Sequence, residues 1–554
     1  MAVVGNGPVG QTTALLLARW GVPVLLLDAR PVRDQVGSKS ICQQRDVLDV
    51  WHAVGVGARI AEEGVTWTTA RTFYHDRELF ADTLDEASQS CLPPFVNISQ
   101  ARTEQILDER IAAEPLVDAR WSHRVTDIAQ DPGGVAVTCA TPAGTETFHR
   151  DYAVACSGAK CDDIRRMLGV SFDGHSFDDR FLICDIRAEL PGWARERRFY
   201  FDPAWNPGRQ VLIHPCPDST FRIDWQVPGD YDVATEETSG ALDARIRAII
   251  GDTPYQVLWK SVYRFQSRVA SRMRVGRVLL AGDCAHVVAP FGARGLNSGV
   301  GDAENAAWKL AFALRGWAGG ELLESYHHER HAAAVENLDV TSATMSFLVP
   351  QDDEQHRRRR TVLAGAERDP ELRAQVNSGR LAEPFWYVGS PLTTPDASRP
   401  FAGRPPRGAA PAAAPGILVP DVWVVAPGAP ATSARVRFRE LARDGFLLLG
   451  APEADLGGAE AAARRVTGAP VRTVELAAID VSGRLAEALA ARDGEVWLIR
   501  PDAYVASVLT RRAEGHAELA RALRGALGNL AVSGECGYSH TRHSRAAQPQ
   551  GGTG

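Results

Sequence analysis

Residues 3–28 read VVGNGPVGQTTALLLARWGVPVLLLD, the order of residue types expected of a strand, a glycine turn, a helix, a second strand and an acid. Val3–Val4 runs into Gly5-Asn6-Gly7-Pro8-Val9-Gly10. A helix is predicted from about Gln11 to Trp20, and a buried strand over Val22 to Leu27. Gly5 permits the tight turn, Gly7 lets a pyrophosphate approach the backbone, and Gly10 lets helix and strand pack closely. Asp28, followed by Ala29 and Arg30, closes the second strand and suits a pair of ribose hydroxyls. A lone GxGxxG is a weak signal. The order of elements around it, and the acid about twenty residues on, make this one strong.

A second stretch belongs with the first. Residues 275–316 read VGRVLLAGDCAHVVAPFGARGLNSGVGDAENAAWKLAFALRG. Val278 to Ala281 reads as a buried strand, ending at Gly282–Asp283. Ligands of open α/β sheets bind beyond such strand ends. The loop holding Pro290, Gly292 and Gly295 lets backbone approach a ligand. Asn297 and Ser298 are expected to cap a helix that carries Val300, Ala303, Ala307, Leu310 and Leu314. A flat, partly anionic ligand lying across strand end and helix start is the expectation, with Asp283 accepting from its hydroxyls.

Composition narrows the class. With 554 residues, two to four domains are expected. The net charge of −7 is spread along the chain and leaves no nucleic-acid footprint. No apolar run reaches membrane-spanning length, and the N-terminus lacks the pattern of a signal peptide. The nine cysteines form no CxxC pair or zinc spacing, so reduced thiols and a cytoplasmic location are expected, with no metal.

Along the rest of the chain, Gly37 to Arg45 reads as a polar loop before a helix, and Val96 to Glu104 enters another through a capping box. Strands joined at Pro132-Gly133-Gly134 and Pro142-Ala143-Gly144 precede a short strand, Tyr152 to Cys156, that ends at Ser157-Gly158. Between 172 and 272 the pattern changes to a run of strands, over Phe181–Glu189, Arg197–Phe201, Gln210–His214, Phe221–Val227 and Tyr255–Phe265. This reads as a mixed sheet inserted between two parts of one nucleotide-binding domain, making a pocket over its ligand. Glu321 to Met345 is read as a mostly surface helix, and His356 to Arg360 as a solvated basic helix face. Residues 402–420 read as a linker. The domains are placed at 1–171, 172–272, 273–400 and 401–535, with a disordered tail over 536–554.

Gly5-x-Gly7-x-x-Gly10, taken with Gly282-Asp283, Pro290, Gly295-x-Asn297, Asp302, Asn305 and Trp308-Lys309-Leu310, resembles the single-component FAD-dependent aromatic hydroxylases of the para-hydroxybenzoate hydroxylase type. The resemblance points to the larger phenol and 3-(3-hydroxyphenyl)propionate hydroxylase-like branch. It implies an α/β fold: a Rossmann-like FAD-binding domain, an inserted mixed β-sheet substrate domain and a small thioredoxin-like C-terminal domain. It also implies bound FAD, with NADPH or NADH and dioxygen as co-substrates, a C4a-hydroperoxyflavin, and hydroxylation of a small phenolic or hydroxy-heteroaromatic substrate. No nucleic-acid or membrane partner is implied, and a homo-oligomer is open.

By position, Gly5, Gly7, Pro8, Val9, Gly10, Asp28, Ala29 and Arg30 match the ADP end. Lys39, Arg45, Gln100 and Arg102 match polar positions near ribityl or pyrophosphate. Gly282, Asp283, Pro290, Gly292, Gly295, Leu296 and Asn297 match the flavin end. Ser157-Gly158 stands where the family usually has Asp-Gly. Cys536 alone in the C-terminal domain argues against a thioredoxin-like redox role.

Substrate activation is sought in the inserted sheet. His214 and Arg222, with Pro290, are the catalytic candidates, and Trp225, Tyr263 and Phe265 the aromatic wall. An ordinary strand-end histidine and ordinary core aromatics stay open beside that reading, and His286 is read as a packed structural residue. Baeyer–Villiger oxygen insertion on the same scaffold and a degenerate FAD-binding non-enzyme also stay open.

Overall fold

The computed structural model describes residues 1–529 apart from 36, 38–39, 84–89, 380, 382, 406–410, 431–434 and 511–514. Lys39 and the tail 536–554 lie outside the described residues.

A six-stranded sheet runs in the order Arg274–Val275, Val278–Leu280, Ala153–Ala155, Ala2–Val4, Val24–Leu27 and Val117–Arg120. All neighbours are parallel except the hairpin at one edge. The three central strands are only three or four residues long but buried throughout, which is why they read as uninterrupted apolar runs. Register does the rest. Val3 pairs with Val154 and Leu26, and Val154 pairs with Leu279. The strands therefore end level, and Gly5, Ser157 and Gly282 emerge side by side at one carboxyl edge, where the chain switches direction across the sheet.

The second sheet has eight strands, ordered His286–Val287, Tyr255–Ala270, Phe172–Ala188, Thr220–Val227, Gln210–Cys216, Glu196–Phe201, Thr69–Tyr74 and Arg77–Thr83. Its last two strands precede the 172–272 stretch, so the sheet is not one contiguous insertion. Thr69–Tyr74 joins parallel to Glu196–Phe201, with Phe199 opposite Thr72. The back face packs on the helix Ala241–Ile250 through Leu242, Ile246 and Ile250. The front face meets Ala289 and Phe291.

The C-terminal sheet runs Val471–Glu475, Phe446–Gly450, Val496–Ile499, Val505–Leu509. Its first pair is parallel and the others antiparallel, which is thioredoxin-like connectivity. Helices Leu456–Val466 and Gly515–Ala526 share one face with Trp308, Phe312 and Leu322 of the FAD-binding part.

Three expectations are corrected. The helix Glu321–Leu348 is not mostly surface: Tyr326, Glu329, Arg330, Ala333, Thr341, Met345 and others are buried, because it is enclosed on more than one side. Asn297 does not cap a helix. The helix runs Arg294–Leu314, entered through Ala293 at φ 55°, and Asn297 lies inside its first turn. Cys161 and Cys284 are disulfide-bonded, with Cα atoms 5.8 Å apart, so the reading of all nine cysteines as reduced thiols fails for this pair.

Candidate active site

The ADP end is built almost entirely by backbone. Gly5 sits at φ 106°, and its N–H donates to Leu27 O at 2.7 Å. A Cβ on Gly10 would stand 1.8 Å from Gly5 O, whereas one on Gly7 would meet nothing within 4 Å. Gly10 is thus the packing glycine, and Gly7 faces open space at the start of the helix Pro8–Arg19, which has no side-chain cap. Uncapped N–H groups beside open space suit a phosphate. The helix Arg294–Leu314 likewise starts without a side-chain cap. Two uncapped helix starts at one sheet edge fit the two ends of a dinucleotide.

Asp28 is buried, and its carboxylate accepts from Asn6 N at 2.7 Å, Arg30 N at 2.8 Å and Arg30 Nε at 3.0 Å. Burial pushes its carboxyl upward, but the bonds from Arg30 and Asn6 hold it below the usual carboxylate range. Ala29 is exposed just beyond. Arg33, which the sequence reading passed over, is buried and ties Asn6 O at 2.9 Å to Glu104 at 2.5 Å and to Asp108.

At the flavin end, Asp283 is exposed in the turn Gly282–Cys284, and Pro290 is exposed in the following loop. The turn is held from behind by buried Asp302. Its Oδ2 accepts from Gly282 N at 2.9 Å and pairs with His286 Nε2 at 2.8 Å. His286 is fully enclosed there, as a structural residue. Gly292, Gly295 and Leu296 line the half-exposed entry to the helix. Val9 packs against the same turn: a Cβ on Gly282 or Gly299 would meet its methyl at 3.0 Å or 2.7 Å. Asn297 points inward, accepting from Gln44 N and donating to Cys42 O, both at 2.9 Å. It therefore fixes the strand Cys42–Gln44 beside the loop. Gln43 in that strand is buried with neither amide atom partnered among the described residues.

The remaining positions divide. Gln100 stays near the loop, accepting from Ser40 N at 3.2 Å. Ser157 donates to Val4 O at 3.3 Å, and Gly158 adopts φ 77°. Arg45 is turned toward the C-terminal domain, its Nε donating to Leu92 O at 3.0 Å with Asp421, Arg437 and Arg439 nearby. Arg102 pairs with Glu63 at 2.7 Å in a half-exposed cluster with Arg59 and Glu109.

Strand alternation sorts the substrate candidates. His214 lies opposite Arg222, Leu212 opposite Asp224, and Asp185 opposite Arg222. His214, Arg222 and Asp224 therefore share the front face with Phe181 and with Trp259, Tyr263 and Phe265 of the neighbouring strand. Phe181 and Phe265 stack at 4.5 Å, and Phe291, next to Pro290, meets Phe181 edge-on at 5.4 Å. Trp225 is excluded from this wall. One residue on from Asp224, it points to the back and is fully buried with Ile246 and Leu242.

The front face is electrostatically unusual. Arg222 is committed to Asp185, with bonds of 2.8 and 3.0 Å. Burial, with Arg197 and Arg222 nearby, drives His214 well below its ordinary 6.5, so it is neutral. Burial pushes Asp224 from 3.8 up to about 7. His214 Nδ1 and one Asp224 carboxylate oxygen have no partner among the described residues. Orphaned buried polar groups of this kind wait for a ligand. Asp224 was not singled out in the sequence. The signal was available in the alternation Phe221-Arg222-Ile223-Asp224-Trp225, whose polar members mark the non-core face.

No helix among the described residues is long and apolar enough to cross a membrane. Residues 1–341 match the family model described as FAD binding domain, and 412–529 the one described as aromatic-ring hydroxylase, C-terminal. The 3-(3-hydroxy-phenyl)propionate/3-hydroxycinnamic acid hydroxylase of Mycolicibacterium smegmatis is 27% identical over 385 residues, 68% of this chain and 66% of that one, just under two thirds of its length. Rifampicin monooxygenase of Streptomyces venezuelae is 32% identical over 375 residues, 64% of this chain and 73% of that one. The crystal structure of the flavin-dependent monooxygenase PieE in complex with FAD and substrate superposes with a TM-score of 0.82 at 22% identity, over 96% of this chain and 99% of that one. Geometry and relatives agree, and the chain belongs to the family of FAD-binding aromatic-ring hydroxylases.

Proposed function

We propose that the protein is a monooxygenase that hydroxylates an aromatic ring bearing a hydroxyl group, with NADPH or NADH and dioxygen as co-substrates. The observation that carries this reading is the front face of the eight-stranded sheet. An aromatic cage of Phe181, Phe265 and Phe291 adjoins a neutral His214 and an Asp224 that titrates near 7.

Bound FAD supplies the oxygen-transfer chemistry; the chain supplies binding, orientation and proton handling. The turn at Gly5–Gly10 and the helix start at Pro8 would hold the pyrophosphate, and Asp283 the ribityl hydroxyls. The helix start at Arg294–Asn297 would face the pyrimidine edge, where its N–H groups stabilise negative charge. The ring would lie between the Phe cage and Pro290. A phenol attacks an electrophilic oxygen better as its O–H bond loosens. His214 Nδ1, without a partner among the described residues, would hydrogen-bond that hydroxyl, and Asp224 would take and release its proton near neutral pH. The Arg222–Asp185 pair fixes the strand beneath them.

The test is reduced-nicotinamide consumption by the purified flavoprotein against a panel of phenols and hydroxylated heteroaromatics, with product mass. A gain of one oxygen on a ring carbon supports the reading. A ring-expanded lactone, or no stimulation across the panel, overturns it.

A further inference from the structure

The C-terminal domain carries no cysteine among its described residues. Beside the apolar contact with Trp308, Phe312 and Leu322, buried ion pairs join it to the FAD-binding part. Arg437, Arg439 and Arg443 converge on Asp49, and Arg443 also reaches Glu304 on the helix Arg294–Leu314 at 2.7 Å. A second group goes further. Arg500 is 0% exposed and bonds Asp502 at 2.6 Å and Glu329 at 2.6 Å. Asp502 accepts from Trp308 Nε1 at 3.1 Å. Glu329 accepts from Lys309 Nζ at 2.6 Å and Asn305 Nδ2 at 2.7 Å. Asn305 Nδ2 also donates to Tyr387 OH at 3.3 Å, and Arg330 Nη1 donates to that hydroxyl at 2.9 Å. Arg330 in turn donates to Asp302 at 2.6 Å and to Ser298 O at 3.0 Å. Asp302 is the carboxylate that receives Gly282 N–H.

We propose that the C-terminal domain is a positioning element of the flavin site: Arg500 and Asp502 hold Glu329, and through Asn305, Tyr387 and Arg330 they fix Asp302 and the Gly282–Asp283 turn. The route ends on two places that face the cofactor, the turn before Asp283 and the first turn of the helix beginning at Arg294. Arg500, Asp502, Glu329, Asn305, Tyr387, Arg330 and Asp302 are all buried, so solvent cannot substitute for a lost partner, and a change at one end must be absorbed along the row. A network of discrete bonded partners on packed helices transmits such a change better than a soft contact does. The proposal does not depend on which ring is hydroxylated.

The test reads the cofactor rather than turnover. FAD release from the purified holoenzyme, followed by flavin fluorescence, is compared with the visible spectrum and midpoint potential of the bound flavin. Tyr387→Phe removes one hydroxyl and no charge; the FAD dissociation constant is expected to rise about three- to tenfold, the size of a lost charge-assisted hydrogen bond. Arg500→Met is expected to raise it more than about tenfold and to shift the flavin spectrum, and Arg500→Lys to recover part of both. Arg399→Met is the control. It breaks the buried pair that Arg399, at the end of the preceding segment, makes with Glu495 of the C-terminal domain; among the described hydrogen bonds and ion pairs, none joins that pair to this row, so the substitution is expected to lower the melting temperature and leave FAD affinity unchanged. If Arg500→Met does not fold, Tyr387→Phe against Arg399→Met decides. Wild-type FAD affinity and spectrum in Tyr387→Phe overturn the proposal, as does an equal loss of FAD in Arg399→Met.

Discussion

The two ends of the candidate active site are made differently. At the ADP end, backbone geometry sets the site, and the buried carboxylate Asp28 already has its partners in Arg30 and Asn6. On the front face of the eight-stranded sheet, side chains set it, and His214 Nδ1 and Asp224 Oδ1 are enclosed atoms with no partner among the described residues. The first region tolerates almost no change in shape and is indifferent to what is oxidised. The second carries polar atoms still without a partner among the described residues, which under the proposed reading the substrate would complete. Cofactor binding and substrate choice are thus separable in this chain, and substitutions can drive them apart.

The largest effect is expected at the first region. In Gly10→Ala the new methyl would lie 1.8 Å from Gly5 O, so turn and helix must separate. Purified protein should carry no flavin absorbance; wild-type flavin content would show that the turn does not hold the cofactor.

Next comes Asp224→Asn. We expect kcat/KM with an active phenol to fall about 100-fold or more, the lower end of the range for losing a positioned acid–base group, with the FAD dissociation constant unchanged. The same variant tests the charge. Asp224 binds its proton up to about pH 7 in the fold but only to about 3.8 when unfolded. The folded state therefore holds the extra proton between those values, and the share of stability from this residue, full below about pH 4, is lost as pH rises toward 7. Denaturant melts across that range should show the decline in wild type and lose its share from this residue in Asp224→Asn. Parallel pH profiles for the two proteins would remove Asp224 from the site.

Trp225→Phe separates the two faces of one strand. Being fully buried on the back, Trp225 should cost about 1–3 kcal/mol in thermal or urea unfolding when trimmed, with substrate KM unchanged. A raised KM at unchanged stability would put Trp225 in the pocket after all.

The smallest effect is expected for Arg102→Gln. Its ion pairs with Glu63 and Glu109 are half-exposed, worth about 0–1 kcal/mol, and FAD affinity should stay within about twofold. A tenfold loss would return Arg102 to the cofactor site.

These outcomes follow how far each feature could be read from the chain. The Gly5–Gly10 turn was legible because its constraints act within a few residues. The pairing of that turn with Gly282–Asp283 was legible as two strand ends, each followed by glycine. Asn297 was misread as a cap because capping residues and inward-facing first-turn residues look alike in sequence. Trp225 was misplaced because a shift of one residue exchanges the faces of a strand, and only its pairing with Leu182 and Val211 fixes which face is which. The Thr69–Tyr74 and Arg77–Thr83 strands were missed because their partner, Glu196–Phe201, lies far along the chain.

By itself, the sequence determined the dinucleotide turn, the alternation of strands and helices in the C-terminal domain and the expectation of a flat, partly anionic ligand, since each rests on local spacing and on side chains that must be buried. Tertiary structure alone decided which side chains share the front face of the eight-stranded sheet and what stands behind the Gly282–Asp283 turn. Strand register selected His214 and Asp224 over Trp225. The packing of a distant domain brought Arg500 to Glu329, turning a helix that reads as surface into the interior of the protein, because burial of charge depends on partners that no local pattern announces.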